Sequence, residues 1–322
     1  MAMTIKKAIL HILGSSGAPL TLSRAELDID SEACETFILK HVKKMINNPA
    51  ARTALFKPDS AVYKLLGDYQ SGAAFFMDTG NAVSSKLQES LSAVKGFPPA
   101  DLLLAHVADK GAEYFAITVL PYQETYVRQS KDADNQIAKG RALPFSSGKA
   151  EYACLIGLDG VSMPIGLIEK EDFFSALFLE CDASPSKKEQ AQLINEINDE
   201  FVQEYHENNP KVTARIRKAL VEEAEAEEGF VSMDNVAASV FADNEQEKTQ
   251  YISTMREAGI ASDLPLGERV ARTHFATQRI VGDNGIEIKF PALLAADEDE
   301  LEIIPHSDGT ITVTIKRLRI RS

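Results

Sequence analysis

The sequence predicts an α+β protein in which N-terminal helices pack on an antiparallel or mixed sheet, followed by a helical region and a C-terminal β-hairpin. Three observations predict it. Apolar residues recur at helical spacing through most of residues 32–95. The period then changes to apolar, β-prone runs separated by Asp109-Lys110-Gly111. Helical spacing resumes after Ser186 and gives way to strands bounded by Asp283-Asn284 and Ser307-Asp308-Gly309.

Residues 5–13 read as an opening strand, closed by the turn-forming run Gly14-Ser15-Ser16-Gly17-Ala18-Pro19, and residues 21–29 as a second, shorter extended piece. Over 32–47, Cys34, Phe37, Ile38, Val42, Met45 and Ile46 mark one helix face, and Pro49 stops the pattern. A helix over 60–70 follows through Val62, Leu65, Leu66 and Tyr69. Another, over 73–95, places Phe76, Val83, Leu87, Leu91 and Val94 on one face, although its Gly80 costs about 1 kcal/mol relative to Ala. Residues 102–108 and 113–120 form an antiparallel hairpin. After a polar segment at 123–148 come a strand over 152–158 and a helix over 171–179 that buries Phe173, Phe174 and Phe178.

A polar, Pro-containing link at 181–186 divides the chain into two expected domains, 1–180 and 181–322. Ser186 and Glu189 are spaced as a capping box for a helix with Leu193, Ile194, Ile197, Phe201, Val202 and Tyr205 as its buried stripe. Asn209 and Pro210 start the next helix as N-cap and first helical residue, and it runs to Gly229. Short helices over 231–241 and 245–258 follow, then strands over 285–290, 301–304 and 310–320.

The 322 residues include 34 Lys+Arg and 48 Asp+Glu, a net charge of −14, with 44% hydrophobic and 25% charged residues. That balance excludes a disordered chain and, with no long apolar run, a membrane-spanning helix. Excess acid also opposes coating nucleic acid by bulk charge, so any such binding needs a local patch. Cys34, Cys154 and Cys181 are dispersed without metal-ligand or disulfide spacing, and residues 1–13 lack a signal-peptide core, so a cytoplasmic protein is expected. The charge is uneven: residues 1–180 hold 18 bases and 21 acids, 181–265 hold 8 and 18, and 266–322 hold 8 and 9.

The final strand carries Lys316, Arg317, Arg319 and Arg321; if it continues from Ile311, Val313 and Ile315, its odd-numbered arginines share one side and can grip successive phosphates. Arg269, Arg272, Arg279 and Lys289 lie nearby in sequence. The rival reading is an edge strand charged to discourage aggregation. The acid runs Glu222–Glu228 and Asp297–Glu300 lack the spacing of a calcium loop. Glu287-Ile288-Lys289 with Asp283 has the elements of a nuclease metal site but reads more simply as a strand of alternating charge. The six histidines include no HExxH, and phosphate-binding glycine loops and GxSxG are missing, so no catalytic residue, metal or cofactor is expected.

Three blocks resemble the bacterial nucleoid-associated protein family, the NdpA-like group, as a divergent member: residues 5–13 with Leu27-Asp28 and the Phe37 helix, residues 114–120, and Arg269 through Ile286-Glu287-Ile288-Lys289-Phe290 to Thr310-Ile311-Thr312-Val313. The resemblance implies a non-enzymatic protein of the cytoplasmic nucleoid that binds double-stranded DNA, as a homodimer. Relatives tend to carry a Gly-Arg-rich stretch before the Phe-rich helix, whereas residues 156–166 here contain no Lys or Arg. Sequence-nonspecific binding through Arg317, Arg319, Arg321, Lys316, Arg269, Arg272 and Lys289 is the leading expectation. Docking of the acidic helices of residues 187–258 on a basic protein partner, a DNA-processing or DNA-binding protein, is the alternative.

Overall fold

The computed structural model describes residues 3–14, 19–46, 48–131, 134–144, 151–296, 299–306 and 310–318. They fall into two compact units, Met1–Ser184 and Pro185–Ser322.

The first unit contains, in chain order, β1 (Thr4–Leu13), α1 (Glu32–Lys43), β2 (Arg52–Phe56), α2 (Ala61–Gln70), α3 (Phe76–Leu91), β3 (Ala100–Asp109), β4 (Ala112–Pro121), β5 (Gln123–Lys131), β6 (Asp134–Ala142), β7 (Tyr152–Gly157), β8 (Ile165–Glu169) and β9 (Cys181–Ala183). Seven of the strands form one antiparallel sheet in the order β1-β3-β4-β7-β8-β2-β9. The β3–β4 hairpin forms where the sequence predicts it. Its two-residue turn puts Lys110 at φ 50° and Gly111 at φ 88°, the twist-matched geometry in which both central residues are left-handed.

Period two sorts the sheet residues between two cores. Leu102, Leu104, Phe115, Ile117 and Ile156 pack with α2 and α3, whereas Leu103, Val107, Ala116 and Leu155 share a cluster with Ile38 and Val42 of α1. Both faces are therefore covered, which is why β3 and β4 read as continuous apolar runs. Gly80 stands where α3 approaches the sheet: a Cβ there would meet Leu104 Cδ1 at 3.3 Å and Ile9 Cγ2 at 3.5 Å. The helix-propensity cost is offset by close packing.

Several expectations need correction. Residues 21–29 make only one bridge, Thr21 to Ile12, rather than a strand. Residues 171–179 form a π-helix over Phe174–Leu179, although Phe173, Phe174 and Phe178 are buried as expected. Its end at Glu180 turns left-handed at φ 53°, and the Glu180 carboxylate accepts from the Ala61 N–H at 2.9 Å, closing off the start of α2. The strands β2, β5, β6 and β8 escape sequence reasoning because β2 buries only Ala54, β8 is interrupted by Gly166, and β5 and β6 bury none of their described residues.

His11 on β1 is fully buried, its Nδ1 accepting from the Ser23 N–H at 2.9 Å, and burial lowers its pKa. The unfolded chain then binds the proton more readily, so this contribution is fully favourable above an ordinary histidine pKa of about 6.5 and is lost as pH falls below it. Urea denaturation will show a lower midpoint at about pH 5.5 than at about pH 7.5, with the difference reduced in His11→Gln. Equal pH dependence in the two proteins would contradict this.

The second unit contains α4 (Lys187–His206), α5 (Pro210–Ala226), β10 (Val231–Ser232), α6 (Met233–Val240), α7 (Glu245–Glu257), β11 (Asp263–Leu264), α8 (Glu268–Phe275), β12 (Thr277–Val281), β13 (Glu287–Pro291), β14 (Leu301–Pro305) and β15 (Ile311–Ile315). The predicted capping box is complete: Ser186 Oγ accepts from the Glu189 N–H at 3.2 Å, and Glu189 accepts from the Ser186 N–H at 2.7 Å. Asn209 caps α5 through the Lys211 N–H at 3.0 Å, with Pro210 at the first helical position. The core joins Ile194, Phe201, Ile216, Tyr251 and Phe275, and the buried Tyr251 hydroxyl donates to Asn198 Oδ1 at 2.9 Å. The segment expected as a helix over 231–241 opens as β10, because Val231 and Ser232 pair with Leu264 and Asp263.

Gly229 sits at φ 95°, and a Cβ there would lie 2.8 Å from Gly267 Cα, a backbone atom that cannot swing aside. Gly229→Ala will destabilise this unit by about 3 kcal/mol, combining the left-handed penalty with the collision. A denaturation midpoint unchanged from the parent would refute it.

Candidate nucleic-acid interface

The C-terminal hairpins are built on α5. Phe290 of β13 and Leu301 and Ile303 of β14 cluster with Ala214, which leaves the opposite faces of these strands to carry charge. β14 pairs with β15 from Leu301↔Ile315 to Pro305↔Ile311, the C-terminal hairpin that the sequence predicts.

Arg317, the first of the expected row of arginines, does not continue this hairpin. β15 ends at Ile315, and Arg317 takes φ 58°, whereas a strand requires a strongly negative φ near −120° to −140°. Arg317 therefore does not extend the alternation of Ile311, Val313 and Ile315. Lys316 is drawn back: its N–H donates to the Glu300 carbonyl at 2.8 Å and its Nζ pairs with Glu302 at 3.3 Å. Arg319 and Arg321 lie outside the described residues.

The remaining candidates divide by partner. Arg269 and Arg272 occupy the exposed side of α8, whose Val270, Ala271 and Phe275 face the core. Arg272 is held by Glu225 at 2.7 Å and Glu268 at 3.8 Å, and its hydrogen bond to Glu225 raises its pKa further. Arg269, Lys289 and Arg317 are exposed and make no ion pair among the described residues. Lys289 lies directly across the β12–β13 ladder from Arg279. Arg279 grips the Glu287 carboxylate with two nitrogens, Nε at 2.7 Å and Nη2 at 2.8 Å.

That last pair bears on the nuclease-like triplet. Glu287 is committed to a guanidinium rather than presented to a cation, and no group of three or more His, Cys, Asp or Glu among the described residues is placed to hold a metal. Three of the five acids in the run at the end of α5 are likewise used locally. Glu222 pairs with Lys218 at 3.7 Å, Glu223 accepts from Asn235 at 2.7 Å, and Glu225 holds Arg272.

In the first unit, the stretch without bases at 156–166 is organised by Asp159. Its carboxylate accepts from the N–H groups of Val161, Ser162 and Met163, which hold its pKa down to about 2. A fixed negative charge here repels phosphate. A basic feature that sequence reasoning missed lies instead in β5–β6, a two-stranded sheet of its own. Its register places Tyr126 opposite Lys139, Arg128 opposite Ile137 and Glu124 opposite Arg141, all six exposed on one face. The signal was present as charged and bulky residues at every second position, 124, 126 and 128, then 137, 139 and 141. A pattern with no apolar face gives no core to predict from.

Among the described residues no helix is long and apolar enough to cross a membrane. Residues 9–320 match the family model described as nucleoid-associated protein YejK. No curated protein matches the chain.

Proposed function

The chain belongs to the family of nucleoid-associated protein YejK, and from that premise we propose that it binds double-stranded DNA without sequence preference, in the cytoplasmic nucleoid, through Lys and Arg contacts to phosphate. The observation that carries the reading is that the candidate bases divide into paired and unpaired sets. Glutamates neutralise Arg272, Arg279 and Lys316, while Arg269, Lys289 and Arg317 stay exposed and without an ion pair among the described residues. A net charge of −14 hinders encounter with DNA at long range, so binding depends on direct contact by these cations within a Debye length of about 10 Å. Arg319 and Arg321 extend the basic set in sequence. The proposed role is binding rather than catalysis.

Gel-shift titration of the full chain with a duplex of mixed sequence tests this, with retarded complexes expected at low salt. No complex at low salt would overturn the proposal. Capture of a basic protein from nuclease-treated lysate, with no DNA shift, would favour docking by the acidic helices instead.

A further inference from the structure

The isolated ribbon β5–β6 has no explanation in the fold. Two strands paired only with each other are marginal in water, because neither face buries enough apolar area to offset the ordering of the chain. Here Tyr126 is 73% exposed and Ile137 79%, although both are β-formers that a sheet ordinarily covers. The strand pairing concentrates chemistry on one side. Arg128, Lys139 and Arg141 share a face with Tyr126, Ile137 and a single acid, Glu124, whose contact with Lys139 is a loose 4.0 Å. The other side takes the uncharged Gln123, Thr125, Val127, Gln129, Ala138 and Gly140 and, as its last register pair, Lys131 and Asp134 of opposite charge. Arg128 and Arg141 make no ion pair among the described residues, and Arg141 lies 5.8 Å from the Tyr122 ring centroid.

We propose that this ribbon is an arm that lies in a groove of duplex DNA, with Arg128, Lys139 and Arg141 on the phosphates and Tyr126 and Ile137 against the groove wall. The inference rests on the DNA-binding reading above and names a site for it. Charge decides the occupant: three cations facing outward from a chain of net −14 suit a polyanion. Shape agrees, since paired strands about 4.8 Å apart fit a major groove about 12 Å wide. Nine residues per strand span about 30 Å, close to one helical turn of DNA.

The test compares the full-length parent with R128A/K139A/R141A in gel shifts against the same duplex at several salt concentrations. At about 0.1 M salt the triple variant will bind on the order of 10²-fold more weakly, and its log-log salt slope will be shallower by about 2.7, at about 0.9 per lost phosphate contact. A charge-keeping variant, R128K/R141K, will retain most of the parent's affinity, which separates loss of contact from loss of fold. A triple variant that binds DNA like the parent overturns the arm while leaving DNA binding intact. A parent that fails to shift DNA overturns the functional reading itself. A triple variant altered only in oligomeric state would assign the ribbon to a second copy of the chain and also overturn the arm.

Discussion

Phe76→Ala will destabilise the first unit by about 3–5 kcal/mol, the cost of emptying a fully packed aromatic site. Phe76 opens α3, is completely buried, and lies 6.0 Å from the Tyr69 ring and 5.8 Å from that of Phe115, joining two helices to the sheet. Its neighbours cannot collapse into the gap, because Phe115 is held in the β4 ladder by both β3 and β7. The adjacent ring supplies the control. Phe75, one residue earlier, is 79% exposed, and Phe75→Ala will change stability by less than about 0.5 kcal/mol. Urea denaturation of both variants checks the pair, and a loss below about 1 kcal/mol for Phe76→Ala would refute the packing argument.

DNA affinity will fall at least about 150-fold between about 50 mM and about 200 mM salt with four or more phosphates neutralised, each adding about −0.9 to the log-log slope, for a total of about −3.6 or steeper. The physical cause is counterion release: every cation seated on a phosphate frees condensed salt, and added salt opposes that release. Substituting Arg269, Lys289 and Arg317 by Ala will flatten the slope, because these side chains are exposed and make no ion pair among the described residues. Arg279→Ala is expected to change it little, since that guanidinium is already engaged by Glu287. Binding indifferent to salt would refute phosphate contact as the source of affinity.

How legible these features were depended on whether a local rule reported them. The Lys110-Gly111 turn, the Ser186–Glu189 box and the Asn209-Pro210 start are each set by a few adjacent residues, and each forms as expected. Local chemistry suffices there because the stabilising hydrogen bonds and dihedral preferences lie within one turn. The candidate site was less legible. Period two correctly described Ile311, Val313 and Ile315 but could not say that the strand stops there, because the stop depends on pairing with Glu300–Pro305 of the same hairpin and on the left-handed Arg317.

From residues alone came the α+β class, the division of charge, the helix caps and the family resemblance, since composition and short-range periodicity carry them directly. Only the tertiary structure decided which bases are spent. Glu225, Glu287 and Glu302 silence Arg272, Arg279 and Lys316 across separations in sequence of 47, 8 and 14 residues. A charge is available to a partner only when the fold brings no opposite charge to it, and that depends on distances the linear order does not contain.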